Sequence, residues 1–269
     1  MKLTYLGTAA AEGFPALFCH CPHCNEARNL GGKSIRTRSQ ALINDDLLID
    51  LPADTYHHML KNGIEGDAIR YLLITHGHQD HFYQQDLCLR GGAFAHDMRV
   101  PTLGLIASET LCKSLTPCPQ GIKLLPIRAF EALALDGYRV TALPARHMPG
   151  GEALFYVIEG DKTLLYAHDT GYFYEEVFTF IEKSGWVFDM VSLDCTNVHI
   201  PIPDDGLHMG FPGIGRLLDR LTKIGAVNES TVRYVNHFSH NARPLHPLLK
   251  EAAAAYGCLP SYDGCQVTF

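Results

Sequence analysis

Short apolar runs rich in Val, Ile, Leu and Tyr recur along the chain, punctuated by Gly, Pro, Asp and Asn. They predict β-strands over 2–6, 39–43, 47–51, 68–74, 102–106, 138–143, 153–159, 163–166, 189–193 and 231–235. Between them, apolar residues spaced three and four apart predict helices over 53–61, 108–114, 174–183, 212–224 and 244–256, whereas 115–126 reads as loop. Strands dominate the first half with few helices, and the second half repeats that order. Two sheets stacked face to face with helices outside satisfy this pattern, so the expected fold is α/β, an αββα sandwich of two mixed sheets. No linker divides the 269 residues, and one domain over 1–269 is predicted.

Composition narrows the function classes. Hydrophobic residues make up 46% and charged residues 19% of the chain, the balance of a soluble globular protein, and no apolar run approaches the ~18 to 20 residues that span a bilayer. No membrane role is expected. The opening Met1-Lys2-Leu3-Thr4-Tyr5-Leu6-Gly7 alternates like a strand and does not read as a signal peptide, so the expected location is cytoplasmic. The net charge of −7 argues against a broad nucleic-acid footprint, which needs Lys and Arg against phosphates, and leaves small anionic substrates open.

The chemistry sits where apolar runs stop. The segment Thr75-His76-Gly77-His78-Gln79-Asp80-His81 follows Tyr71-Leu72-Leu73-Ile74 and puts four metal-capable side chains in six positions. A solvated loop gains nothing from imidazoles packed beside an aspartate, and their mutual repulsion on protonation near ~6.5 would oppose folding, so the segment reads as a metal centre. Asp50 closes 47–49, His147 follows 140–145, Asp169 follows 164–167, Asp194 ends 190–193 and His237 follows 232–235. Side chains at the ends of rigid strands are placed to converge on one cleft. Nine cysteines are an odd number, and Cys19, Cys21 and Cys24 have a spacing suited to metal rather than to bridges in a reducing compartment.

These residues resemble the metallo-β-lactamase superfamily: a His-x-His-x-Asp-His box, then a downstream His, Asp and final His. The likeness runs from Gly7 to the closing Asp263-Gly264-Cys265-Gln266-Val267. It implies an αββα fold with a two-metal hydrolytic site, in which His76, His78 and His147 hold one metal, Asp80, His81 and His237 the second, and Asp169 bridges them. The chain departs from the pattern just beyond the box, reading Phe82-Tyr83-Gln84-Gln85-Asp86 where many members have a glycine.

Leu6-Gly7-Thr8, Gly13-Phe14-Pro15 and Cys19-His20-Cys21-Pro22-His23-Cys24 further resemble the cyclic phosphodiesterases of the carbon–phosphorus lyase pathway, which carry an extra structural zinc. That likeness implies that His240 joins the three cysteines, pinning the long loop after the first strand beside the active site. If 237–240 is extended, the odd separation turns the rings of His237 and His240 to opposite faces. His20 and His23 are rival fourth ligands. Two catalytic divalent metals, for which zinc, manganese and iron are all suited, one structural zinc and a homodimer are thus implied.

Two cations sharing Asp169 would lower the pKa of a bridging water toward neutrality, and the resulting hydroxide would attack a small cyclic or activated phosphodiester. His208 and Asp80 are the candidate catalytic residues: His208 to protonate the leaving alkoxide, with His199 its competitor, and Asp80 also as a ligand. Asp50 and Asp194 read as groups that orient ligand imidazoles. His168 should point away from the site, and Arg36, Arg38, Arg90 and Arg146 are candidates for phosphate contact. The rival enzyme readings are a transfer-RNA 3′-processing nuclease, disfavoured by the acidic charge, and a thioester or lactone hydrolase. The rival from another class is a non-catalytic, carrier-like module resembling a pyrroloquinoline quinone biosynthesis protein of this fold.

Overall fold

The central strands are apolar on both sides because both sides are covered. A computed structural model describes residues 1–149 and 152–269. The first sheet takes β1 (Lys2–Gly7), β2 (Gln40–Ile43), β3 (Leu47–Ile49), β4 (Tyr71–Leu73), β5 (Leu103–Ser108) and β6 (Ile122–Ile127). The second takes β7 (Ala132–Leu135), β8 (Tyr138–Pro144), β9 (Leu154–Glu159), β10 (Thr163–Ala167), β11 (Met190–Asp194), β12 (Val232–Asn236) and β13 (Leu259–Pro260), while β14 (Cys265–Thr268) returns to pair with β1. The orders are β14-β1-β2-β3-β4-β5-β6 and β13-β12-β11-β10-β9-β8-β7, seven strands in each mixed sheet.

Between the sheets lie Leu3, Tyr5, Ile49, Leu73, Tyr156, Leu164 and Tyr166. Their neighbours in sequence point the other way: Phe155, Val157, Leu165 and Val191 form the outer core of the second sheet, and Leu48, Leu72 and Leu105 that of the first. This is the period-two alternation of a strand with both faces buried, which in sequence reads as one continuous apolar run. Helices complete the layers. α5 (Phe211–Lys223) buries Ile214, Leu217, Leu218 and Leu221, and α4 (Glu175–Ser184) buries Val177, Phe178 and Ile181, both on the second sheet. α2 (Thr55–Asn62) turns Met59 to the first sheet, and α3 (Glu109–Ser114) and α6 (His246–Ala254) follow β5 and precede β13.

The αββα expectation holds; three local ones do not. The stretch 115–126 is not all loop, because β6 begins at Ile122 and pairs parallel with β5; as an edge strand it tolerates Pro126, which hid it. The strand expected over 68–74 begins only at Tyr71, after a 3₁₀ turn at Gly66–Ala68. The cysteine segment is not simply a loop: Pro22–Leu30 forms a helix, α1, with Cys21 at its N-cap and Pro22 at its first position.

Topology fixes where function gathers. β3 and β4 run parallel, as do β10, β11 and β12, and β8 is antiparallel to β9, which is antiparallel to β10. The C-terminal ends of β8, β10, β11 and β12 therefore share one edge, and so do those of β3 and β4. Gly7, at the end of β1, makes room there: a Cβ on it would lie 1.9 Å from the Arg38 carbonyl oxygen.

Candidate metal centre

Asp50 follows β3, Thr75-His76 follow β4, His147 follows β8, Asp169 follows β10, Asp194 ends β11 and His237 follows β12. Three of these residues adopt left-handed backbone: Asp50 at φ 65°, Asp169 at φ 51° and His237 at φ 65°. Such conformations cost of order 1–3 kcal/mol each for non-glycine residues and persist where surrounding structure dictates them. Here the sharp turn at the strand end directs Asp169 and His237 to the cleft and Asp50 to His81 behind it.

The structure brings together one atom each of His76, His78 and His147 within 4.8 Å of one another, and likewise of Asp80, His81, Asp169 and His237. Asp169 Oδ2 lies 3.3 Å from His76 Nε2, 3.6 Å from His147 Nε2 and 2.7 Å from His81 Nε2, between the two groups. Ring nitrogens crowd at 2.9 Å (His76 Nε2 to His78 Nδ1), 3.1 Å (His147 Nε2 to His78 Nδ1) and 3.2 Å (His81 Nε2 to His237 Nε2). Asp169 Oδ1 is buried with no hydrogen-bond partner. Converging nitrogen lone pairs around an orphaned carboxylate oxygen are an unfavourable arrangement by themselves and fit divalent cations.

Supporting groups set each imidazole. Asp50 Oδ2 accepts from His81 Nδ1 at 2.6 Å, and its Oδ1 accepts from the Thr75 backbone N–H at 2.8 Å, so His81 presents Nε2 to the cleft. Asp194 does not reach a ligand imidazole directly. Thr196 Oγ1 lies 2.8 Å from His237 Nδ1 and donates to Asp194 Oδ2 at 3.0 Å, while that carboxylate also accepts from the Asp169 and Met209 backbone N–H groups. The sequence reading missed Thr196 and Thr75, whose only signal is adjacency to Asp194 and His76. It also missed Glu12, which lines the mouth and accepts from Ser239 Oγ at 2.7 Å and the His240 N–H at 2.9 Å.

His208 lies at the cleft, with Nδ1 3.2 Å from Asp194 Oδ2 and 3.3 Å from Asp169 Oδ1. Burial alone would lower its pKa, but Asp194 and Asp169 outweigh it and raise the imidazole to about 9. Burial would raise Asp169, yet His237 and His81 hold it well below the usual carboxylate range; burial keeps His76 and His147 below the ordinary histidine value. His199 is exposed against Phe211 and does not line the mouth. His168 is directed away, its Nε2 on Ser192 Oγ at 2.7 Å. The arginines are engaged elsewhere: Arg36 is buried on Thr8 and Ser261, Arg38 pairs with Asp54, and Arg146 donates to the Tyr172 carbonyl.

A second cluster brings together Cys19, Cys21, Cys24 and His240, again within 4.8 Å; His20 and His23 are not in it. Cys24 Sγ lies 3.7 Å from His240 Nδ1 and accepts from the Ala16 N–H. The Cys24 N–H, donated to Cys21 Sγ at 3.4 Å, brings the Cys21 thiol down to about 6, while burial pushes Cys24 up to about 11. His237 and His240 face different clusters, but not through an extended strand: His237 is left-handed and His240 opens a 3₁₀ turn.

A model of the Beta-lactamase superfamily domain matches residues 48–228, which hold the histidine box, His147, Asp169 and Asp194. The chain belongs to this superfamily. Solved structures of similar fold cover the whole chain. A new diphosphatase from the PhnP family matches with a TM-score of 0.75 at 22% identity, covering 100% of this chain and 97% of that one. Zn(2+)-bound PqqB from Methylobacterium extorquens matches at 0.78 and 18% identity, covering 100% of both. Human tRNase Z, short form, matches at 0.65 and 13% identity, covering 100% of this chain and 99% of that one. In sequence, Coenzyme PQQ synthesis protein B of Methylobacterium radiotolerans is 33% identical over 94 residues, a match spanning 30% of this chain and 31% of the relative's length. The fold together with the His/Asp cluster supports a metal-dependent hydrolase. No helix among the described residues is long and apolar enough to cross a membrane.

Proposed function

We propose that this chain is a dinuclear metal-dependent phosphodiesterase acting on a small cyclic or activated phosphodiester of the phosphoribosyl cyclic phosphate kind. The observation that supports the reading is Asp169 standing between His76, His78 and His147 on one side and Asp80, His81 and His237 on the other, with His208 beside it. His76, His78 and His147 would hold one divalent cation, Asp80, His81 and His237 the other, and Asp169 both; zinc, manganese and iron all suit these donors. When bound, the pair would supply a water of lowered pKa and neutralise charge on a phosphoryl group. Cys19, Cys21, Cys24 and His240 would hold a structural zinc, a closed donor set without an open position.

The chain's own residues do the rest. Asp50 and Thr196 keep the ring nitrogens of His81 and His237 turned to the cleft. Asp194 holds His208 at the mouth, where its proton can pass to the leaving alkoxide as the phosphorus–oxygen bond breaks. The fold-level likeness to a diphosphatase is in keeping with a phosphoryl substrate, and the acidic chain with a small one.

The test is hydrolysis of bis(p-nitrophenyl) phosphate alongside metal content. Purified protein should carry about three metals per chain. The Asp80→Ala/His81→Ala double variant should lose turnover yet keep the metal at the cysteines; unchanged turnover would sink the reading. His208→Gln should slow alkyl leaving groups by about 10²-fold or more and p-nitrophenolate far less, since only the former need a proton. The second reading, a non-catalytic module of coenzyme PQQ synthesis, is favoured by the 33%-identical stretch. About one metal, retained at the cysteines, with no turnover after zinc or manganese is added, would select it.

A further inference from the structure

A cavity of about 310 Å³ lies on the outer face of the first sheet, away from the metal centre. Its floor is Leu48, Leu72 and Leu103, one wall is Met59 of α2, and the other is Leu87 and Met98 of the segment 84–100 that follows the histidine box. None of its lining residues lines the mouth of the metal centre, itself a hollow of about 320 Å³. Interiors are close-packed with few voids larger than a water, whereas this volume falls at the low end of small-molecule pockets, ~300–1,000 Å³.

Its polar fittings are few. Arg90 lines the cavity; it donates through Nη2 to the Val100 carbonyl, and its Nε is buried with no hydrogen-bond partner. A guanidinium on the wall of an apolar cavity is a charged donor whose natural partner is a carboxylate or phosphate. The neighbouring acids do not fill that role. Asp67 is held by Arg99 at 2.7 Å, and neither Asp67 nor Asp86 forms an ion pair with Arg90 among the described residues.

We infer that this cavity is a second ligand site, taking an amphipathic anion whose aliphatic body lies on Leu48, Leu72, Met59 and Leu103 and whose carboxylate or phosphate head meets Arg90. The site is independent of the hydrolytic reading. It is nonetheless joined to the metal box by backbone, since Leu51 at the cavity donates its N–H to the His81 carbonyl at 2.7 Å and accepts from the Tyr83 N–H.

The test is calorimetric titration of the metal-loaded full chain with decanoate, decyl phosphate, decanol and decyltrimethylammonium. One anion per chain should saturate, with decanol about tenfold weaker, as a charged hydrogen bond requires, and the cation weaker still. The tighter of the two anions identifies the head group. Met59→Trp, which fills the cavity, should abolish binding, and Arg90→Met should bring the anion down to the affinity of decanol; both should hydrolyse bis(p-nitrophenyl) phosphate like the wild type in the absence of ligand. No saturable heat from either anion, equal binding of all four compounds by the wild type, or full binding by Met59→Trp overturns the inference.

Discussion

Replacing Asp50 by Asn separates the role of its charge from the role of its shape. Asp50 is fully buried, sits at φ 65°, and spends one oxygen on the Thr75 N–H at 2.8 Å and the other on His81 Nδ1 at 2.6 Å. Asparagine tolerates left-handed backbone as well as aspartate does, so the turn survives. The amide, however, has only one acceptor. If its oxygen stays on the Thr75 N–H, its NH₂ faces His81 Nδ1, which must then accept, and the ring proton moves to Nε2, the nitrogen turned to Asp169 and His237. If the amide flips, His81 keeps its tautomer but the Thr75 N–H is left facing a donor, at about 1–3 kcal/mol. Either outcome penalises a metal held by His81. Losing such an orienting partner typically costs 10–100-fold in metal affinity or activity, about 1.4 to 2.7 kcal/mol. Competition against a chelator should show one metal per chain weakened by that factor, with the metal at the cysteines unchanged and turnover reduced in parallel. Metal affinity and turnover within twofold of wild type, in a variant with an unchanged melting temperature, would refute the reasoning.

Two further predictions concern other parts of the chain. His58 is buried, with Nδ1 2.6 Å from Gln40 Oε1 and Nε2 2.7 Å from Thr37 Oγ1, and burial lowers its pKa from 6.5 to about 4. The unfolded chain therefore takes a proton that the folded one refuses; the contribution is present above pH ~6.5 and is lost as pH falls toward 4, about 3 kcal/mol in all. Denaturant unfolding at pH 5 and 7 should show a slope with pH that His58→Gln reduces by about one proton, and an unaltered slope would refute it. Gly171→Ala would put a Cβ 1.8 Å from the Gly206 carbonyl oxygen and push away the loop that carries His208. Turnover of alkyl phosphodiesters should fall about 100-fold with metal content intact, since displacements of an ångström can cost that much; undiminished turnover would show that the loop can yield.

The layers and the candidate ligands were legible along the chain because both rest on local rules. A strand covered on both faces must be apolar at every position, and Tyr71-Leu72-Leu73-Ile74 followed by His76, His78, Asp80 and His81 states strand and metal box in one stretch. Asp50, His147, Asp169, Asp194 and His237 were visible for the same reason: each stands where an apolar run stops. The cysteine spacing was equally local, although the choice of His240 over His20 and His23 needed the fold. What the sequence could not state is direction in space. Positive φ at Asp50, Asp169 and His237 is imposed by packing rather than preferred by those residues, and it decides which way each side chain turns. β6 stayed hidden because its pairing with β5 offsets the cost of Pro126 at an edge, an interaction between distant segments. Thr196, Glu12 and the cavity beside Arg90 depend on surfaces meeting across tens of residues of intervening chain, where no spacing rule operates. The candidate donors and the layers that carry them are written locally in the chain; only the packed fold sets His208 rather than His199 at Asp194 and buries Arg36 away from the cleft. The physical reason is that ligand type and strand periodicity are properties of a few adjacent residues, whereas burial and convergence belong to the whole packed chain.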